Sequence, residues 1–158
     1  MMLLLLGMAI LQATPLPPET WKERNHPDMP VIPKCDLGKD AAIGTSIASL
    51  PQQIALELTR FFGPGGGLSE ANGPYNSTDV SDGNHVPTRR FLRAYHVRDY
   101  WIIWYEHGGM GQTTLALTPD NERRHGERPY RVTPGTALAG NLCTATKALI
   151  AGVRTGNP

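Results

Sequence analysis

The sequence predicts an α+β domain: one antiparallel β-meander sheet of three to five strands, with two helices packed on one face. Residues 89–117 carry the first indication, because they hold two of the three tryptophans and three of the five tyrosines. Runs rich in aromatic and branched side chains are typical of strands. The second indication is a segment with helical periodicity on each side of this stretch.

The meander divides into strand-like runs at residues 91–97, 100–107 and 112–117. A short connection at Arg98 and Asp99 would place directly opposed residues on one face. The first face then carries Phe91, Arg93, Tyr95, Val97, Tyr100, Ile102, Trp104 and Glu106. The second carries Arg90, Leu92, Ala94, His96, Trp101, Ile103, Tyr105 and His107. Both faces are apolar at their centres, so either the chain covers both or one is an aromatic patch open to a partner.

The first face is the predicted binding surface, with Arg93, Tyr95, Trp104 and Glu106 as its candidate residues. Arg93 can lie over the Trp104 ring and reach Glu106 diagonally. The alternative is a stacked arginine with a surface ion pair, an arrangement that adds only about 0 to 1 kcal/mol to stability.

Two helices are predicted around the meander. The first begins at Ser49, whose spacing to Gln52 resembles a capping box, and ends at Gly63 and Pro64. Its apolar side is Leu50, Ile54, Leu58 and Phe61, and its polar side is Gln53, Glu57 and Arg60. The second spans residues 136–153, with Leu138, Leu142, Ala145, Leu149 and Val153 on one side. Gly140 and Asn141 weaken its first turn.

The chain divides into four regions. Residues 1–13 form an apolar run typical of a signal peptide, although no Lys or Arg precedes it, and it is too short to span a membrane. A buried or disordered N-terminus is the alternative. Residues 14–34 contain six prolines and predict an extended arm. Residues 35–154 form a single domain, and residues 155–158 a frayed tail.

The two cysteines, Cys35 and Cys143, predict a disulfide, because an even number of cysteines in an exported chain most simply pairs. Two free buried thiols are the alternative. With the apolar leader, this pair predicts a protein exported to the bacterial periplasm or the extracellular space.

Composition and motifs exclude several function classes. A net charge of +1 argues against nucleic-acid binding, which needs clustered cations. The chain lacks metal-ligand spacings, so neither a metal nor another cofactor is expected. The run GPGGG follows a helix and lacks the Gly-Lys-Ser/Thr ending of a phosphate-binding loop. Asn76, Ser77 and Thr78 match the glycosylation sequon formally.

Two functions remain. The first is a non-catalytic binding or inhibitor-like module whose partner is an unknown protein or small ligand. The second is a small hydrolase-like enzyme with an acid/base site near Glu106 and His107, to which Asp79 and His85 would contribute. Adjacent strand residues point to opposite faces, so Glu106 and His107 would not act as a dyad with each other.

Overall fold

A computed structural model describes residues 27–78, 86–120 and 130–156. In these residues a six-stranded antiparallel sheet is flanked by two α-helices, which confirms the α+β class and the meander. The strands are β1 (Ala42–Gly44), β2 (Arg89–Val97), β3 (Tyr100–His107), β4 (Gly111–Pro119), β5 (Tyr130–Val132) and β6 (Leu138–Ala139). The helices are α1 (Gln52–Phe62) and α2 (Leu142–Ile150), with 3-10 turns at Ile47–Ser49 and Gly63–Gly65. The strand order is β1-β2-β3-β4-β5, and β6 also pairs with β4.

The β2–β3 hairpin has the predicted register near its turn. Val97 lies opposite Tyr100, and Arg93 lies opposite Trp104. A β-bulge between residues 91 and 93 then shifts the pairing, so that Phe91 faces Tyr105 and not Glu106. Because the bulge adds one residue, the side chains before it point to the opposite face from the one predicted. Phe91 consequently joins the core of the second face.

The two helices lie on opposite faces of the sheet, so the prediction that both pack on one face is wrong. The α1 side of the core contains Leu50, Ile54, Leu58, Phe62, Phe91, Ala94, Trp101, Ile103, Tyr105, Leu115 and Leu117. The α2 side contains Leu92, Tyr95, Val97, Ile102, Trp104, Ala116, Leu142 and Leu149. Consecutive apolar residues in β3 point to alternate faces, and each face needs its own cover.

Helix α1 begins at Gln52, three residues later than predicted. Ser49 instead completes a capping box with Ser46 around the preceding 3-10 turn. At the other end, Phe62 is buried and Phe61 is 41% exposed. Phe62 continues the i, i+4 stripe of Ile54 and Leu58, whereas Phe61 is displaced from that stripe.

Helix α2 is shorter than its predicted range of 136–153. Gly140 has a φ of 109°, and the Asn141 side chain accepts a hydrogen bond from the Thr144 amide as the helix cap. Leu138 therefore lies in β6, and Val153, beyond the last turn, is 50% exposed. A helix cannot continue through a left-handed glycine without breaking its backbone ladder.

The described part of the N-terminal arm runs along the α2 side of the sheet, where Met29 and Ile32 pack against the core, as does Leu37 just after the arm. The disulfide between Cys35 and Cys143 joins this arm to the first turn of α2, across 108 residues of sequence. The predicted signal peptide and the first part of the arm lie outside the described residues. Neither α1 nor α2 is long and apolar enough to cross a membrane.

The C-terminal segment is tied to the domain as far as Thr155. The Thr155 amide donates a hydrogen bond of 2.8 Å to the Gly135 carbonyl oxygen. The Arg154 guanidinium donates to the Leu149 carbonyl at the end of α2. Of the predicted tail, residues 157 and 158 lie outside the described range.

Candidate functional site

A groove of about 260 Å³ opens where the end of α1 meets the adjoining ends of β2 and β3. Its lining residues are Phe61, Phe62, Arg89, Tyr105 and His107. It combines an aromatic floor with a guanidinium, a phenol and an imidazole. These groups belong to the α1 side of the sheet.

The groove forms because neither the end of α1 nor the start of β4 places a side chain over this region. Helix α1 ends at Phe62 and continues into the Gly63–Gly65 turn. Across the sheet, the residue opposite His107 is Gly111, at which an added Cβ would have no neighbour within 4 Å. The Phe62 ring packs edge-on against Tyr105, with 5.0 Å between ring centroids, and Phe61 packs edge-on against Phe62. Aromatic contacts therefore fix the floor of the groove, and the space above the floor is open.

Burial shifts both titratable side chains of the groove toward their neutral forms. It raises the pKa of the Tyr105 phenol and lowers the pKa of the His107 imidazole, and the nearby Arg89 charge lowers the His107 pKa further. Arg89 also lies over the Phe62 ring, with its guanidinium carbon 5.6 Å from the centroid. Perturbed groups that line a concave site are a physical indication of function.

Glu106, the other candidate acid/base residue, lies on the opposite face and is held by Arg90. The Arg90 side chain is 2% exposed and donates to Glu106 Oε2 from Nη2 at 2.7 Å and from Nε at 3.1 Å. Arg90 also donates to the carbonyl oxygens of Pro27 and Asp28, and it lies 4.5 Å from the Tyr75 ring centroid. Burial, with the charge and hydrogen bond of Glu106, raises the pKa of Tyr75 to about 12.

The structure therefore separates the predicted catalytic residues. His107 lines the groove, while the Glu106 carboxylate neutralises a buried arginine on the other side of the sheet. Asp79 and His85 lie outside the described residues. The segment before them contacts the β3–β4 turn through backbone, because the Gly109 amide donates to the Ser77 carbonyl and a Cβ at Gly108 would collide with that segment. None of residues 76–78 lines the groove.

The predicted binding face is covered. Trp104 is 0% exposed and Tyr95 is 2% exposed, and the Trp104 Nε1 donates to Thr146 Oγ1 of α2 at 2.7 Å. The sequence left two alternatives, that the chain covers both faces or that one face is open to a partner. The structure shows the first, because the central residues of both faces are buried. Arg93 is partly buried and makes a long contact of 3.4 Å with the Tyr95 hydroxyl. Its Nε is buried with no acceptor among the described residues.

The sequon asparagine is also buried. Asn76 is 2% exposed, and its side-chain oxygen accepts hydrogen bonds from the Thr78 amide and hydroxyl. This arrangement is an Asx turn that supports the loop. A glycan on Asn76 would require the turn to open.

Comparison of the chain with protein-family models, curated proteins and solved structures finds no match.

Sequence reasoning missed Phe61, Phe62 and Arg89 as site residues. One signal was present: two adjacent phenylalanines precede Gly-Pro, and one helical stripe has room for only one of them in the core. The other remains at the surface beside the point where the helix ends. Arg89 carried no comparable signal, because its place depends on which strand end lies next to α1.

A second, more open recess of about 400 Å³ lies near the disulfide. Asp36, Leu37, Arg98, Lys147, Ile150 and Ala151 line it. Its charged side chains, Arg98, Lys147 and Asp36, are exposed to solvent. We therefore place the candidate site in the smaller groove, where burial alters the chemistry of the lining groups.

Proposed function

We propose that the protein is an exported, non-catalytic binding module and that its groove receives one apolar side chain of a partner protein. The observation that carries this proposal is the aromatic floor of Phe61, Phe62 and Tyr105, on which Phe61 remains 41% exposed. The volume of about 260 Å³ is below the range of about 300 to 1,000 Å³ usual for small-molecule sites. Aromatic pockets that accept a single anchoring side chain are common at protein interfaces.

The disulfide supports the exported part of the proposal. Disulfides persist in oxidising compartments such as the periplasm and the extracellular space, and are rare in the cytosol of most organisms. The Cys35–Cys143 bond together with the apolar run at residues 1–13 is the combination expected of a secreted domain.

An NMR titration of the ¹⁵N-labelled protein with acetyl-phenylalanine-amide tests the groove. We expect saturable shifts of the Tyr105 and His107 resonances. A Phe61→Ala variant should reduce the binding affinity about three- to tenfold, since it removes the exposed part of the aromatic floor. Leu56→Ala is the matched control, because Leu56 is 58% exposed on the same helix and does not line the groove. The proposal would be refuted if no saturable shifts appeared, or if Phe61→Ala and Leu56→Ala lost equal amounts of binding affinity.

The second candidate function is a small hydrolase, favoured by one observation. The lowered pKa of His107 increases its neutral fraction, which is the form that acts as a general base. No serine, threonine or cysteine lines the described groove as a nucleophile, so a base at His107 would have to activate water. Hydrolysis of p-nitrophenyl acetate that His107→Gln abolishes would support this function, and a rate unchanged by that substitution would exclude it.

A further inference from the structure

Residues 27–37 cover part of the sheet without belonging to it. They lie on the α2 side, where Met29 and Ile32 pack against the core, yet they form no backbone–backbone hydrogen bond with another described residue. Arg90 donates two hydrogen bonds to carbonyl oxygens at the start of the segment, and the disulfide holds it at Cys35. Ordering a segment without a backbone ladder costs conformational entropy that these few contacts must offset.

The surface beneath this segment is the β2 part of the apolar face. On this side, α2 packs mainly on β3, β4 and β6. Leu92, Tyr95 and Val97 of β2 belong to the same core and are at most 8% exposed. We refer to these three residues as the β2 strip. Among the described elements, segment 27–37 is the one that lies over β2 here, since Arg90 of that strand donates to it.

The disulfide is within reach of a reductant while the protein is folded, because Cys35 and Cys143 are both partly exposed. Cys143 is the second residue of α2 and follows the Asn141 cap, so a thiolate there lies at the positive end of the helix dipole. Cys35 lies in neither a helix nor a strand. A thiolate at Cys143 is therefore the more stable of the two and the better leaving group.

We propose that the Cys35–Cys143 disulfide is a reducible latch, which a protein dithiol opens to release segment 27–37 and expose the β2 strip while the domain stays folded. One thiolate of the dithiol attacks Cys35 Sγ, a mixed disulfide forms, and the Cys143 thiolate leaves. The second thiolate of the dithiol then displaces Cys35. Two electrons pass from the dithiol, which becomes a disulfide, and the two cysteines take up the two protons that it released.

The rest of the α2 side keeps its own contacts when the latch opens. The Trp104 Nε1 donates to Thr146 Oγ1, which joins the sheet to α2 directly. Leu142 and Leu149 of α2 are at most 1% exposed in the same core. Release of segment 27–37 is therefore a local opening, distinct from unfolding of the domain. The groove lies on the other face of the sheet, so the latch and the binding function stand independently.

Dithiothreitol, a small dithiol, tests the latch on the full-length protein under native conditions. We expect reduction to move the methyl resonances of Met29 and Ile32 to random-coil positions, while the Trp104 indole resonance stays at its folded position. Trypsin cleavage after Lys34 should become at least about tenfold faster, because local release exposes the backbone. A monothiol such as 2-mercaptoethanol should form its first mixed disulfide at Cys35, which mass spectrometry identifies.

The Cys35→Ser, Cys143→Ser double variant is the control, and its segment should be released without reductant and should not respond to dithiothreitol. The latch would be overturned if the bond resisted dithiothreitol until the protein was denatured, or if Met29 and Ile32 kept their folded positions after reduction. Loss of the Trp104 resonance together with theirs would show global unfolding and also overturn it. A first mixed disulfide at Cys143 would overturn the order of attack. The reduction series uses the wild-type protein, so its result does not depend on whether the variant folds.

Discussion

Arg90 and Arg93 occupy the same strand in very different environments. Arg90 is almost fully buried, and a carboxylate, two carbonyl oxygens and an aromatic ring surround it. Arg93 is partly buried, has one long contact to Tyr95, and leaves its Nε without an acceptor among the described residues. Arg90 therefore has a carboxylate that neutralises its charge, whereas Arg93 contacts only a hydroxyl among the described residues.

Substitution of each arginine by methionine should separate these roles. Arg90→Met leaves the Glu106 carboxylate and two carbonyl oxygens without a donor, and we expect the free energy of unfolding to fall by about 3 to 5 kcal/mol. Arg93→Met removes a charge with little compensation, so it should change stability by less than about 1 kcal/mol or increase it. Urea unfolding monitored by tryptophan fluorescence measures both. An equally large loss for Arg93→Met would show that Arg93 is a structural ion-pair partner.

Tyr75 makes the stability of the fold sensitive to alkaline pH. Its pKa is raised from 10.0 to about 12, so the folded state retains the phenol proton that the unfolded chain loses. The contribution is fully present below pH 10 and is lost as pH rises from 10 to 12. We expect a loss on the order of 1 to 3 kcal/mol over this interval, reduced in Tyr75→Phe. Urea unfolding at pH 9 and pH 11 tests it, and identical pH slopes for the two proteins would contradict it.

At the scale of elements, Glu57 connects α1 to the edge of the sheet. The sequence predicts it on the polar side of the helix, yet its side chain is 0% exposed. The carboxylate accepts from Arg60 Nε at 2.7 Å and from the Val132 amide of β5 at 3.1 Å. The hydrogen bond with Glu57 raises the pKa of Arg60. Because the Val132 amide donates to a helix side chain, this edge position is capped against pairing with another strand.

We expect Glu57→Gln to lower the free energy of unfolding by about 1 to 3 kcal/mol, since a buried charge-assisted contact is replaced by a weaker one. The Val132 amide should then exchange its hydrogen faster in NMR measurements. Gln53→Ala is the matched control, because Gln53 is exposed on the same helix and should leave both quantities unchanged. Unaltered exchange at Val132 in Glu57→Gln would contradict the bridging role.

At the scale of the whole molecule, the structure has three layers that pack through two hydrophobic cores, and the disulfide lies within one outer layer. The sheet lies between α1 on one side and α2 with the N-terminal arm on the other. The disulfide joins the end of the arm to α2, and the Arg90 guanidinium donates hydrogen bonds to the arm at the carbonyl oxygens of Pro27 and Asp28. The arm covers part of the Trp104 face, so its attachment keeps that face dry.

The Cys35→Ser, Cys143→Ser double variant should lose roughly 4 to 5 kcal/mol of stability, because the bond closes a loop of 108 residues in the unfolded chain. Detachment of the arm should also make the backbone at Lys34 and Lys39 susceptible to trypsin under native conditions. Unfolding curves and timed digestion with mass spectrometry measure the two effects. A variant as stable and as resistant as the wild type would show that packing alone holds the arm.

Local patterns predicted the hairpin well and the helix packing poorly. The pairs nearest the turn, such as Val97 with Tyr100, follow from the position of the turn alone. The pairs beyond the bulge, such as Arg90 with Glu106, do not, because no residue type marks where an extra residue enters a strand. The same limit applied to the site: His107 was identified as a candidate, but its aromatic neighbours come from a helix about 45 residues away in sequence.

The sequence by itself determined the meander, the cysteine pair and the presence of two helices, because periodicity, turn residues and cysteine number act over short distances or by simple counting. Only the tertiary structure decided that the helices cover opposite faces, that Glu106 neutralises Arg90 and that Phe61 remains exposed beside His107. These features depend on which surfaces compete for burial once the chain is compact. A face apolar at its centre must be covered, and the sequence does not specify which distant segment covers it.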